Sequence, residues 1–111
     1  MNIDYSIIIS AFADKETAKK TAKLLVEQRL AAYAQLFPIE SVYLWKGEIC
    51  DENEIMLFIK SRASFFGKIV AVIRENHPYE VPEIIQLPIT DGLPEYFNWI
   101  KDCVDMRTES I

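Results

Sequence analysis

Tyr33-Ala34-Gln35-Leu36-Phe37-Pro38-Ile39-Glu40-Ser41-Val42-Tyr43-Leu44-Trp45-Lys46-Gly47-Glu48-Ile49 is dense in aromatic and β-branched residues, the types that fit a pleated surface. Pro38 cannot donate a ladder hydrogen bond, so a strand running through it is expected to bulge or to lie at a sheet edge. Lys46-Gly47-Glu48 supplies a turn. Ile49 to Ile59 then returns with Ile55, Leu57 and Ile59 on one face and Glu54, Met56 and Phe58 on the other. The stretch therefore reads as one long hairpin. Tyr43, Trp45, Met56 and Phe58 make its second face apolar as well. In a small domain, a hairpin longer than its sheet and apolar on both sides predicts a subunit interface.

The elements on either side of the hairpin follow from periodicity. Before it, Ile3 to Ala11 contains the unbroken Ile7-Ile8-Ile9 and reads as a central strand. Asp14 is placed to cap the next helix, in which Ala18, Ala22, Leu25, Val26 and Leu30 recur at helical spacing. Lys15, Lys19, Lys20 and Lys23 occupy its opposite, solvated face. After the hairpin, Ser61 or Ser64 is expected to cap a second helix with Phe65, Ile69, Val72 and Ile73 as its buried stripe. Glu83 to Ile89 reads as a fourth strand. Pro94 suits the first turn of a closing helix with Tyr96, Trp99, Ile100, Cys103 and Val104 along one side. Strand, helix, strand, strand, helix, strand, helix with right-handed crossovers is the α+β ferredoxin-like plan, βαββαβ with an added helix. It predicts a four-stranded antiparallel sheet with the two main helices on one face. Residues 1–111 form a single domain on this reading, with 1–2 and 106–111 frayed.

Between the second helix and the fourth strand lies His77-Pro78-Tyr79-Glu80-Val81-Pro82-Glu83, which holds the only histidine. Proline disfavours the α region in the residue before it, so His77 is expected to end the helix and 78–82 to run extended. A stiff segment can present an imidazole, a phenol and carboxylates at little entropic cost. A rigid, solvated loop accounts for the same residues without a ligand.

Composition narrows the partners. Twelve basic and seventeen acidic residues give a net charge of −5, which repels phosphate backbones and argues against nucleic acid as a partner. No apolar run approaches the ~20 residues of a membrane span, and the N-terminus has no basic-then-apolar leader. Cys50 and Cys103 form neither a zinc motif nor a disulfide framework, which suits a cytoplasmic protein. No nucleophile-elbow pattern accompanies the single histidine, so the chain does not read as an enzyme.

The chain resembles the CutA divalent-cation tolerance proteins from Ile7 to about Ile100. The resemblance is carried by Glu16-Thr17-Ala18, Leu25-Val26-Glu27-Gln28-Arg29-Leu30-Ala31-Ala32, Ser41 to Ile49, His77 to Ile85 and Tyr96-Phe97-Asn98-Trp99-Ile100. It implies a ferredoxin-like subunit in a homotrimer similar to the trimeric PII signalling proteins, and a link to copper and other divalent metals. One departure stands out: Tyr33 follows Ala31-Ala32 where the family usually has a cysteine. Thiolate copper binding at that position is therefore not available.

Two functions follow as expectations. The first is divalent-metal binding, copper foremost and zinc second, with His77, Glu83 and Glu80 as ligands completed across subunits. The second is a PII-like sensor of a small molecule, with Tyr79, Glu83 and Trp45 lining a cleft between subunits. Replacing Cys50 and Cys103 together by serine is expected to leave copper and zinc affinity within about twofold, a change within context-dependent scatter for spectator thiols. Calorimetric titration checks this, and loss of binding would make the thiols ligands.

Overall fold

The computed structural model describes residues 4–104, so the expected frayed segments, 1–2 and 106–111, lie outside the described residues. Within that range the elements are β1 (Tyr5–Phe12), α1 (Lys15–Glu27), β2 (Tyr33–Trp45), β3 (Glu48–Arg62), α2 (Phe66–Asn76), β4 (Ile84–Pro88) and α3 (Pro94–Cys103). All strand pairs are antiparallel, in the spatial order β2-β3-β1-β4. This is the ferredoxin-like order expected from the sequence.

Pro38 introduces no bulge. Its pairing with Ile55 continues the register of Phe37↔Met56 and Ile39↔Glu54, because β2 is an edge strand. The hairpin closes through Lys46 at φ 50° and Gly47 at φ 81°. Two successive positive φ values are those of the turn whose twist matches a two-residue hairpin.

The register assigns the faces. Ser6, Ile8, Ser10 and Phe12 of β1 share a face with Ile55, Leu57, Ile59 and Ser61 of β3, and this face carries α1 and α2. Ala18, Ala22 and Leu25 of α1 and Phe65, Ile69 and Ile73 at α2 complete the core there. Asp14 caps α1 as expected, accepting the Thr17 N–H at 2.9 Å. That bond holds its carboxyl below the usual carboxylate range. At the other end Arg29, at φ 60°, reverses the chain. Its N–H bonds the Val26 carbonyl and the Leu30 N–H bonds that of Leu25, so Leu30 drops back onto Leu25 in the core. Val26, expected in the buried stripe, is 44% exposed.

Neither serine caps α2. A short 3₁₀ turn, Ala63–Phe65, leads into the helix with no side-chain cap. Ser61 is still in β3, fully buried, and donates its hydroxyl to the Leu30 carbonyl at 2.5 Å. It fastens the end of the α1 loop to the sheet.

The opposite face carries Tyr5, Ile7 and Ile9 of β1, Met56, Phe58 and Lys60 of β3, Tyr33 and Phe37 of β2, and Ile85 and Leu87 of β4. α3 covers one end of it. Phe97 stacks on Tyr5 with centroids 4.7 Å apart, and Trp99 meets Tyr33 edge-on at 5.9 Å. Tyr33 is thus a packing residue, and Lys60 lies over both its ring and that of Tyr96. The rest of this face is open: Phe37, Ile85 and Leu87 are 41%, 46% and 44% exposed.

Two buried hydroxyls give a paired test. Ser61→Ala strands the buried Leu30 carbonyl and is expected to lower unfolding free energy by about 1–3 kcal/mol. Ser10 Oγ is buried with no hydrogen-bond partner among the described residues, so Ser10→Ala is expected to hold or raise stability. Urea unfolding of both variants reads the opposite signs.

Candidate functional site

The site arises where β1 stops and β3 does not. Phe12, the last residue of β1, pairs with Ile55, whereas β2 and β3 continue together from Ile39↔Glu54 to Trp45↔Glu48. The residues linking α2 to β4, 77–83, pass around this end of β1 before β4 enters beside it, with Ile84 opposite Ser10. They lie against the overhanging ribbon.

His77 ends α2 with extended backbone, φ −100° and ψ 125°, as its place before Pro78 requires. Its ring is 8% exposed and stacks on Phe12 at 4.4 Å. Nε2 lies 2.7 Å from the Ala11 carbonyl oxygen, and Nδ1 accepts the Tyr79 N–H at 3.3 Å. A carbonyl can only accept and an N–H can only donate, so these partners select the neutral ring protonated on Nε2. Both nitrogens are thereby engaged inside the subunit. A metal at Nδ1 has to displace the Tyr79 N–H, and at Nε2 the shorter bond to Ala11.

Tyr79 packs edge-on against His77 at 4.6 Å, and its hydroxyl donates to Glu54 Oε2 at 2.7 Å. Glu54 is 6% exposed, a buried carboxylate that sequence reasoning assigned only to a strand face. Alternation in β3 could place it on that face, but nothing in the sequence paired it with a phenol twenty-five residues away. One step along the ribbon, the Tyr43 hydroxyl donates to Glu52. Burial, followed by the Glu54 bond, raises the Tyr79 pKa above the usual phenol range, and the bond to Glu52 does the same for Tyr43. Both phenols are held as neutral donors.

The expected cleft residues Tyr79 and Trp45 come together. With Tyr43, Glu80 and Val81 they line a cleft of about 230 Å³ between ribbon and linker. Glu80 reaches Lys46 at the hairpin turn, 3.6 Å away. Glu83 is exposed and is not among the lining residues, so the structure does not unite it with His77 and Glu80. Bringing Glu83 together with His77 or Tyr79 requires strand-like alternation of side chains, and residues 77–83 are not a strand. Among the described residues, no group of three or more His, Cys, Asp or Glu side chains could hold a metal ion within one chain.

The model of the CutA1 divalent ion tolerance protein family matches residues 6–103. The chain belongs to this family. A CutA divalent-cation tolerance protein from Thermus thermophilus is 37% identical over 97 residues, 86% of this chain and 94% of that protein. A solved CutA from Archaeoglobus fulgidus, described as periplasmic, matches with a TM-score of 0.89 at 33% identity over 91% of this chain and 99% of that one. CutA1 from Oryza sativa matches equally well, with a TM-score of 0.89 at 33% identity over 94% and 96%. The chain spans 55% and 53% of the mouse and Arabidopsis CutA proteins, the latter named as chloroplastic. The Thermus and Archaeoglobus names describe tolerance of divalent cations, and none of these names specifies a reaction. Among the described residues no helix is long and apolar enough to cross a membrane.

Tyr79→Phe removes the donor to buried Glu54 and is expected to cost about 1–3 kcal/mol of unfolding free energy. A phenol whose pKa is raised by folding adds stability below its unfolded pKa of about 10 and loses it as pH rises through the folded value. Melting curves from pH 8 upward should therefore fall more gently above pH 10 in the variant than in the wild type.

Proposed function

We propose that this CutA1-family chain works as a homotrimer that binds divalent cations, copper foremost and zinc second, and so contributes to their tolerance. The observation that carries the assembly is the apolar surface left in water by a single chain. Val42, Leu44 and Ile49 on one side of the ribbon are 70%, 69% and 79% exposed, and Tyr43 and Trp45 on the other are 37% and 40%. Each such side chain gains about 1.5–3 kcal/mol when fully buried, and neighbouring copies offer the half-exposed Met56, Phe58, Ile85 and Leu87 face for the purpose. Three copies rather than two is what the family resemblance implies. The interface then takes in Tyr43, Trp45, Met56 and Phe58, together with Val42, Leu44 and Ile49.

Metal binding on this reading is a property of the assembly. Of the residues expected as ligands, one chain brings Glu80, Glu83 and, if Tyr79 yields its N–H, His77 Nδ1. Copper and zinc both accept imidazole and carboxylate donors, so donors gathered across subunits give a complete set. The role is one of binding, with no reaction assigned.

A second reading is favoured by the cleft itself. An open cleft walled by Tyr43, Trp45, Tyr79 and Val81 with a single carboxylate, Glu80, suits a small molecule better than a bare ion. Such a ligand would make the trimer a sensor in the manner of PII proteins.

Light scattering at micromolar concentration is expected to give three times the 12.8 kDa chain mass, and a monomer would refute the assembly. Calorimetric titration with copper and zinc is then run on the wild type and His77→Ala, with melting curves beside it. Weaker binding with little change in melting makes His77 a ligand. Equal affinity with a lower melting temperature makes it structural and moves the donors to the carboxylates. Thermal shifts with metals and metabolites in parallel decide between ion and small molecule, since a ligand of the folded state raises the melting temperature.

A further inference from the structure

The hairpin turn brings a cation of the chain's own to the edge of the cleft. Lys46 sits in the left-handed region at φ 50°, and its ammonium lies 5.5 Å from the centroid of the Trp45 ring and 3.6 Å from Glu80 Oε2. It is therefore in contact with two of the five residues that line the cleft. The other three are Tyr43, Tyr79 and Val81. No arginine, lysine or histidine is among the five.

The chemistry of those walls is selective. Aromatic faces carry negative electrostatic potential and attract an ammonium group placed over them. The Tyr43 and Tyr79 hydroxyls are turned to Glu52 and Glu54 as donors, so the rings remain neutral and two further carboxylates stand behind them. An anion is repelled by Glu80, Glu52 and Glu54. A bare divalent cation finds one carboxylate among apolar side chains. An ammonium bearing alkyl groups satisfies both halves of the surface, its charge against Trp45 and Glu80 and its carbons against the rings and Val81.

We infer that this cleft binds a small organic ammonium ion, and that the Lys46 ammonium, at the edge of the cleft, competes with the ligand for Glu80 and the Trp45 face. The inference rests on the reading of the cleft as a small-molecule site between subunits, in which Tyr43 and Trp45 border a neighbouring copy and remain open to the ligand. Displacement is easy on physical grounds: the Lys46 and Glu80 side chains are 71% and 69% exposed, and an exposed pair on long side chains contributes little and is screened by salt. Lys46 thus sets a threshold for ligand binding without blocking it.

Choline and its uncharged isostere 3,3-dimethylbutan-1-ol are the probes, titrated against the 111-residue chain in its native assembly. The chain has two tryptophans, so a Trp99→Phe background leaves Trp45 as the sole fluorescent reporter, with calorimetry as a second readout. Choline is expected to bind at least about threefold tighter than the alcohol, the range of an exposed cation–π contact. Lys46→Gln, at an exposed turn, is expected to tighten choline by about two- to fivefold, and Glu80→Gln to weaken it. Equal binding of the two probes overturns the ammonium inference while leaving a small-molecule cleft intact. Choline affinity unchanged by Lys46→Gln overturns the competition. Failure of choline to bind wild type and Lys46→Gln overturns the inference as a whole. A metabolite of other charge that perturbs Trp45 in the same protein then keeps the cleft reading, and none doing so removes that as well.

Discussion

The ladder between β2 and β3 outruns β1. β1 has eight residues and β3 has fifteen, so the sheet supports the hairpin only as far as Ile55 and leaves the remainder as a two-stranded ribbon with no helix behind it. An isolated two-stranded ribbon is marginal in water. Two things support this one. The linker from His77 to Glu83 lies against one side through Tyr79 and Glu80, and the apolar residues on the ribbon are suited to docking on other copies. The cleft exists because these two features meet at the end of β1.

His77 shows how a residue chosen for its chemistry can be committed to architecture. An imidazole before a proline, next to a phenol and two carboxylates, looks like a donor awaiting a metal. In the fold its ring fills the space beside Phe12, and its two nitrogens satisfy one buried acceptor and one backbone donor. Buried polar groups need partners, and His77 supplies them to β1 and to the linker at once. The linker's course is therefore coupled to the end of β1 through a neutral imidazole.

At the other end of the sheet an aromatic cluster does a comparable task. The Lys60 ammonium lies over Tyr33 and Tyr96, both of which pack on Trp99, while Arg62 lies over Tyr5, which stacks on Phe97. Lys60 and Arg62 lie on the apolar face because aromatic rings receive their charges and their alkyl stems cover surface. Tyr33 is part of this arrangement. A thiol there could not offer the ring that meets Trp99.

Element order, strand alternation and the ends of helices were legible in the chain because each is set by neighbours within a few residues. Asp14 caps α1 through Thr17, Pro78 ends α2 at His77, Pro94 opens α3, and Ile55, Leu57 and Ile59 share a face. Family motifs such as His77 to Ile85 were legible in the same way. What the tertiary structure alone decided involves partners far apart in sequence: Ser61 with Leu30 instead of a helix cap, Tyr79 with Glu54, and Trp45 with the linker rather than Glu83 with His77. It also decided the side of the sheet on which α3 lies, which no periodicity specifies. A repeat of 3.6 or 2 states which side chains share a face. It does not state what that face will meet, because that depends on where strands of unequal length end.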